Sequence, residues 1–567
     1  MRLAKYLSML ALLLAPFAAQ LHAQVNVAGS SALWIETGQG AYTQGNTTTT
    51  CAWTNTTSGV TFTLEQRPVG GAPFNQENGN TWVVWTPGGS GCGTQATGTP
   101  VYAYINLDST LGNRCLFAQP SCTLNTTATT STAGANALPG ITDSLMPSSV
   151  ISAFNGQPIV IAGTDILPVD AKFATFQGLA LCGPLSSGTQ FLGYGYGPGP
   201  VGQTVNSFYS TKNFHVIDFN VFGTDPITGT SIPAYTITPV GAAPVVVFVN
   251  NTNASGFGNA AITNVNRGTL GLLFSGILVR TADVLPQAFA GLSASYSAVT
   301  ALSREFLSGT YNTFDHGVPN NKELFRAQDI GNCTTGTDTV TSNPLNLTRT
   351  ISDGGTSTTG THNRVIGTGE MIKEGALVTD SIGYAFWSAG NFAPSTAYTV
   401  GNLKYVTVDG VDPILDSYAG GTIPNSGNGL LPNVTLAHVA DGSYPIWSEQ
   451  RFVSFAAGAG PAATLASWAQ TQVSFGAGAT QPDWITAPKL TVFHAHFAPS
   501  FINFNATNTA SDGPRVCGAG SNPEDGGDVG GLVFSQQAGG DYCVLKGNYG
   551  VAGGVGPTNT ASFGTRQ

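Results

Sequence analysis

Arg304 stands four residues ahead of Ser308-Gly309-Thr310. A guanidinium presents a planar fork of N–H donors that matches two oxygens of a phosphate or carboxylate. A Ser-Gly-Thr turn opening a helix adds two hydroxyls and unpaired backbone N–H groups at the positive end of the helix dipole. Together they have the chemistry of an oxyanion clamp, which points to binding and not to turnover. Ser-Gly-Thr is also ordinary turn composition, so the clamp has to be weighed with the rest of the chain.

Three earlier segments place hydroxyl side chains or an acid where an apolar run gives way to a turn. These are Gly29-Ser30-Ser31, Asp108-Ser109-Thr110 and Asp165 at the end of Ile159-Val-Ile-Ala-Gly-Thr. In an open parallel sheet the carboxyl ends of strands converge on the ligand crevice, so such turns can face one point. The positioning elements are legible as β-rich runs at Val101–Leu107, Ile159–Ala162, Pro244–Asn250, Ser381–Ser388 and Leu490–Phe497, with helical stretches such as Thr269–Leu278 and Ala463–Gln470 between them. Strands separated by helices predict α/β domains with largely parallel sheets. Polar connectors rich in Gly, Thr, Asn and Ser span Cys122–Gly140, Gly331–His362, Ser388–Asn433 and Ala506–Gln567, and are expected to be solvent-facing insertions carrying little core.

Only 9% of the 567 residues are charged, against roughly 25% in ordinary soluble domains, so the surface is neutral and polar. A formal net charge of −10 argues against nucleic acid or an anionic membrane as partner, because both require a basic footprint. It leaves a small anion open, since a few aimed donors can hold one whatever the overall charge. Arg2 and Lys5, the apolar run Leu7–Ala15 and the exit Leu21-His22-Ala23 read as an export signal over residues 1–23, cleaved after Ala23. The expected location is periplasmic or secreted. The eight cysteines then favour disulfides, with Cys115–Cys122 and Cys517–Cys543 preferred by their short separations and the full connectivity left open.

The order of these segments resembles the phosphate-binding proteins of Pst-type ABC transporters, which are type II periplasmic binding proteins. That family's turns appear in sequence as Gly29-Ser30-Ser31, Ser109-Thr110, Gly163-Thr164-Asp165, then Arg304 with Ser308-Gly309-Thr310. Pro244–Asn250 is similar to the first crossover strand, Gly268–Ile277 to the helix after it, and Tyr444-Pro-Ile-Trp447 to the return crossover. Gly367–Met371 and Ser381–Phe386 are similar to a helix and strand of the second lobe. The chain departs in having Ala32 where an aromatic is usual, and in having Glu305-Phe306-Leu307 ahead of the serine in place of an acid-Gly pair. An acid bracing the guanidinium therefore has to be Glu305 or come from elsewhere.

The resemblance implies an α/β, two-lobed fold with two crossover hinge strands, lobe I being residues 24–249 and 446–567 and lobe II residues 250–445. It implies that inorganic phosphate binds between the lobes for delivery to an inner-membrane ABC permease, with no catalysis and no cofactor, and with the protein a monomer. Arg304 would grip two oxygens; Ser31, Ser109, Ser308 and Thr310 would donate hydroxyls; Ala32 and Gly309 would offer backbone N–H groups. Asp165 would accept the proton that phosphate carries and sulfate lacks, rejecting sulfate by a like-charged, unpaired contact. The alternative is an exported surface or interaction protein that keeps the fold with a lost or changed ligand. His494 and His496 share one face of a run, as a metal pair would need, but no third ligand is identifiable and no metal is expected. Hydrolase readings lack a nucleophile elbow, a P-loop or a His-Glu-x-x-His pair.

Overall fold

The computed structural model describes residues 24–44, 50–61, 76–126, 145–168, 171, 219–221, 223–225, 228–274, 278–284, 297–304, 308–318, 347–353, 356–365, 367–471 and 483–491. The strands that build the site are β1 (Gln24–Gly29), β2 (Val101–Asn106), β3 (Ile161–Thr164), β4 (Tyr235–Asn250), β5 (Thr300–Ser303), β6 (Thr356–Arg364), β7 (Ser381–Phe386), β8 (Leu403–Tyr405) and β9 (Trp447–Phe455). Their spatial order is β6-β5-β7-β4-β9-β3-β1-β2, with β8 beside β4. β1 lies parallel to β2 and β3, and β5 parallel to β6 and β7.

Two antiparallel strands join these parallel triplets. β4 pairs with β9 through Tyr235–Pro244 and with β7 through Val245–Val249, and β9 also pairs with β3. The architecture is thus an α/β fold around one large mixed sheet, and the largely parallel expectation holds only within each triplet. Pro244-Val-Val-Val-Phe-Val-Asn250 is buried at every residue, the pattern of a strand covered on both faces. It sits at the centre of a core that also includes Val25, Leu33, Leu270, Phe314, Tyr384 and Trp447, drawn from both triplets.

The helices that matter for the site are α1 (Trp34–Gln44), α2 (Ser109–Phe117), α3 (Arg267–Phe274), α4 (Gly309–Gly317), α5 (Thr368–Leu377) and α6 (Ala456–Ala469). α2 is buried at every residue, and its last turn is tied by the Cys115–Cys122 disulfide, as the spacing predicts. A second disulfide joins Cys51 to Cys92, whereas Cys517, Cys543, His494 and His496 lie outside the described residues.

Two expectations are corrected. Leu490 and Thr491 follow a 3-10 turn at Ala487–Lys489 and are not in a strand; the rest of that run lies outside the described residues. The connector Ser388–Asn433 carries core: β8 pairs with β4, and Leu403, Tyr405, Val406, Val408, Ile414, Leu415 and Ile423 are buried. Polar residues in it close turns, whether buried like Asp412 or exposed like Asn428. Asp412 Oδ1 accepts from the N–H groups of Ile414 and Leu415, each at 2.7 Å, and Asn428 Oδ1 from those of Asn425 and Leu430 at 3.0 and 3.2 Å. Side-chain closure of turns is local chemistry that composition counts as loop. Likewise Thr356–His362, from another connector, lie in β6: Thr361 and His362 pair with β5, and Thr356–His362 pair with the antiparallel strand Leu347–Asp353.

Candidate functional site

β1, β2 and β3 are parallel and adjacent, so the turns that follow them leave the same end of the sheet. The first turn requires glycine: Gly29 has φ +139°, and a β-carbon there would overlap the carbonyl of Gly163. That close approach lets the Ser30 N–H donate to the Gly163 carbonyl at 2.8 Å, and the Tyr104 hydroxyl donates to the Ser30 carbonyl at 2.6 Å. Ser30 is buried and its Oγ accepts from the Ala32 N–H at 3.2 Å. The structure therefore leaves Ser31 exposed and Ala32 half-buried, with the Ala32 amide already bonded to Ser30.

The second and third turns meet. Ser109 opens α2 after Asp108, whose side chain makes no cap bond to the helix. Ser109 Oγ donates to Asp165 Oδ1, and the Asp165 N–H reaches Ser109 Oγ at 3.5 Å. The Asp165 turn is held on three sides. Asn113 Nδ2 donates to Thr164 Oγ1 at 3.1 Å, Thr164 Oγ1 to the Ile166 carbonyl at 2.7 Å, and Ser448 Oγ to the Asp165 carbonyl. These bonds fix the carboxylate's direction without using it up.

On the other triplet, Arg304 follows β5 directly. Its backbone N–H donates to the Tyr384 hydroxyl at 3.0 Å, and Tyr384 stacks on Phe314 of α4 with ring centroids 4.0 Å apart and planes 6° from parallel. One aromatic stack thus sets both the clamp arginine and the helix that carries the Ser-Gly-Thr turn. Ser308 is the N-cap of α4, its Oγ accepting from the Tyr311 N–H at 3.3 Å. Ser308, Thr310 and Arg304 are buried.

The two triplets are brought together at this point. Gly309 lies against Asp165 so closely that a β-carbon on residue 309 would overlap the carboxylate. Arg304 Nη1 donates to Thr368 Oγ1 of α5 at 2.9 Å, while Nη2 lies 3.7 Å from Asp108 Oδ1. Ser109, Asp165, Arg304, Ser308, Gly309 and Thr310 thus form one constellation, walled by the N-termini of α2 and α4; Ser31 and Ala32 stand on the neighbouring turn.

Burial pushes the Asp165 carboxyl above its ordinary pKa. The Ser109 hydroxyl, a backbone hydrogen bond, and the charges of Arg304 and Arg451 pull it back. Arg451 is a residue the sequence reading missed. It sits on β9 opposite Thr164, is buried, holds Glu449 Oε2 at 2.8 Å through Nη2, and keeps a buried Nη1 without a hydrogen-bond partner. A closely spaced acid and arginine within a run flanked by Trp447 and Phe452-Val453, in a chain with only 20 Lys and Arg, is the signal that marks it. The sequence marks Asp108 only as part of its turn and not as a partner of Arg304. It supplies an acid to Arg304 from across the site, while Glu305 lies outside the described residues.

No family model matches the chain, and no curated protein does. Among solved structures it aligns with an ABC-type phosphate transport receptor from Vibrio cholerae at 13% identity and TM-score 0.22, over 41% of this chain and 66% of that one. A putative phosphate ABC transporter substrate-binding protein from Clostridium perfringens gives 12% identity and TM-score 0.24, over 41% and 65%. PstS from Borrelia burgdorferi gives 10% identity and TM-score 0.26, over 76% and 86%. The aligned part spans just under two thirds of the Vibrio and Clostridium proteins. At these scores the backbones superpose too little to carry an argument, and the functional reading stands on the site's own residues.

Proposed function

We propose that this chain is an exported solute-binding protein, of the type II periplasmic kind, that captures inorganic phosphate between two lobes and delivers it to an ABC permease. The observation that carries the reading is the convergence of buried Asp165 and buried Arg304 at the N-termini of α2 and α4. Two helix N-termini, a guanidinium fork and the hydroxyls of Ser109, Ser308 and Thr310 supply donors to an oxyanion. The carboxylate of Asp165 can only accept, so it favours an oxyanion that brings its own proton.

In this reading Arg304 and Asp165 exchange their present partners for the ligand. The guanidinium leaves Asp108 and grips two oxygens; Ser109 Oγ turns from Asp165 to a third oxygen; Asp165 accepts a hydrogen bond from the ligand's hydroxyl; Gly309 and Thr310 contribute N–H groups. Because donors come from both triplets, the bound anion stabilises the arrangement in which they meet. Ser31 and Ala32 belong to the wall beyond Ser30. The mature protein begins after Ala23 and acts as a monomer, without cofactor or catalysis.

One observation favours a second reading, an exported surface or interaction protein with a lost or changed ligand. The site's own carboxylates already engage its donors, Asp165 with Ser109 and Asp108 with Arg304. Calorimetric titration of the mature, phosphate-stripped protein with phosphate and with sulfate separates them. Micromolar or tighter phosphate binding, about −8 kcal/mol, with no sulfate signal supports capture; silence with both anions from folded protein supports the second reading.

A further inference from the structure

The connector Ser388–Asn433 does more than cover β4. With the loop after β4 it walls a cavity of about 460 Å³, which lies in the range of sites for small organic ligands. Its lining residues come from the stretches 251–263, 400–404 and 418–428, and none belongs to the Arg304–Asp165 constellation.

Lys404 faces it from β8. The side chain is only 8% exposed, and its Nζ donates to the Asn259 carbonyl at 2.7 Å. An ammonium has three donors, so two remain, and no acidic or other basic residue is among those lining the cavity. A buried ammonium without a counter-charge is costly. Burial accordingly lowers the Lys404 pKa to about 8. The rest of the lining is uncharged and mixed: apolar Val400, Leu403 and Ile423, the Tyr418 ring, the hydroxyls of Thr263 and Thr422, and the amide of Asn251, whose Nδ2 donates to the Gly401 carbonyl at 3.1 Å and whose Oδ1 is left to accept. The amides of Asn425 and Asn428 are committed to closing their own turn.

We propose that this cavity is a second ligand site, separate from the phosphate site, for a small monoanionic hydroxy-acid of the sugar-acid class whose carboxylate binds Lys404. The single cation sets the charge at one. Hydroxyl groups on the ligand match the threonines and Asn251, and its carbon face matches Tyr418. A phosphate dianion has no second cation to meet, and a neutral sugar leaves the ammonium unpaired.

The test titrates the full mature protein calorimetrically with D-gluconate, D-glucuronate and D-glucose, the wild type and Lys404→Met in saturating phosphate and Arg304→Ala without it. The expected result is saturable binding of at least one sugar acid at least tenfold tighter than glucose, lost by at least tenfold in Lys404→Met and kept in Arg304→Ala. Should Lys404→Met fail to fold, the wild-type protein carries a second readout: with lysines reductively methylated with ¹³C, the Lys404 signal titrates near 8 and moves upward with the sugar acid. Absence of sugar-acid binding, equal binding by folded Lys404→Met, glucose as good as the acids, or an amine signal unmoved by them would each overturn the proposal.

Discussion

Gly309, at the start of α4, packs against the carboxylate of Asp165, which follows β3, so that a residue of one strand triplet occupies the space a side chain of the other would need. The absence of a β-carbon at residue 309 is thus a condition of the site's assembly. Gly309→Ala is expected to weaken phosphate binding by at least 100-fold while leaving each triplet's packing intact. Titration calorimetry with circular dichroism as the folding control checks this; wild-type affinity in the folded variant would refute it.

Arg304→Lys keeps the charge and removes the fork. A lost charge-assisted bond is worth about 1.5–3 kcal/mol, so a roughly 10- to 100-fold rise in the phosphate dissociation constant is expected. Arg304→Ala should lose more. Equal affinity of Arg304→Lys and wild type would show that bidentate contact is not used.

Asp165→Asn converts an acceptor-only group into one that also donates. Phosphate affinity should fall and sulfate affinity should rise, so that their ratio collapses by at least tenfold. A variant that still excludes sulfate would put selectivity elsewhere, with Asp108 the next acid to substitute.

Stability should fall as the pH is raised above the ordinary carboxylate range. Glu36 of α1 is buried beside Asp483, and burial followed by the charge and hydrogen bond of Asp483 raises its pKa well above 4.5. The native state then holds a proton that the unfolded chain has released, so this contribution is fully present below the unfolded pKa and lost as pH rises through the folded one. The raised pKa of Asp165 acts in the same direction. Urea midpoints from pH 5 to 8 should slope downward, and Glu36→Gln should flatten the slope; parallel slopes would exclude the pair as its source.

Replacing Cys115 and Cys122 together by serine opens a seven-residue separation at the end of α2. The expected loss is about 2 kcal/mol of stability, read as a lower urea midpoint. Phosphate affinity should change little, because Ser109 stands at the other end of the helix.

Much of this protein is determined by local chemistry and was legible in the chain. The short β-branched run Val245–Val249 favours a strand buried on both faces, and Ser308 before Gly309 suits a helix N-cap as well as an ordinary turn. The site residues Ser109, Asp165, Arg304, Ser308, Gly309 and Thr310 were marked by turn chemistry at strand ends, which depends on neighbours a few residues away. What only the tertiary structure decided is non-local. Arg304 finds Asp108 across the site, 196 positions earlier in a chain where nearer acids exist, because β2 and β5 end at the same place in space. Arg451 acts on Asp165 because β9 pairs with β3, a register that no periodicity records. The connector Ser388–Asn433 reads as loop because its asparagines and glycines make turns, yet alternating Leu403 and Tyr405 against β4 turns it into core and leaves Lys404 facing a cavity. Propensity and patterning fix the elements; which donors share a site is set by the order of strands in the sheet, since that order alone determines which distant residues come within hydrogen-bonding reach.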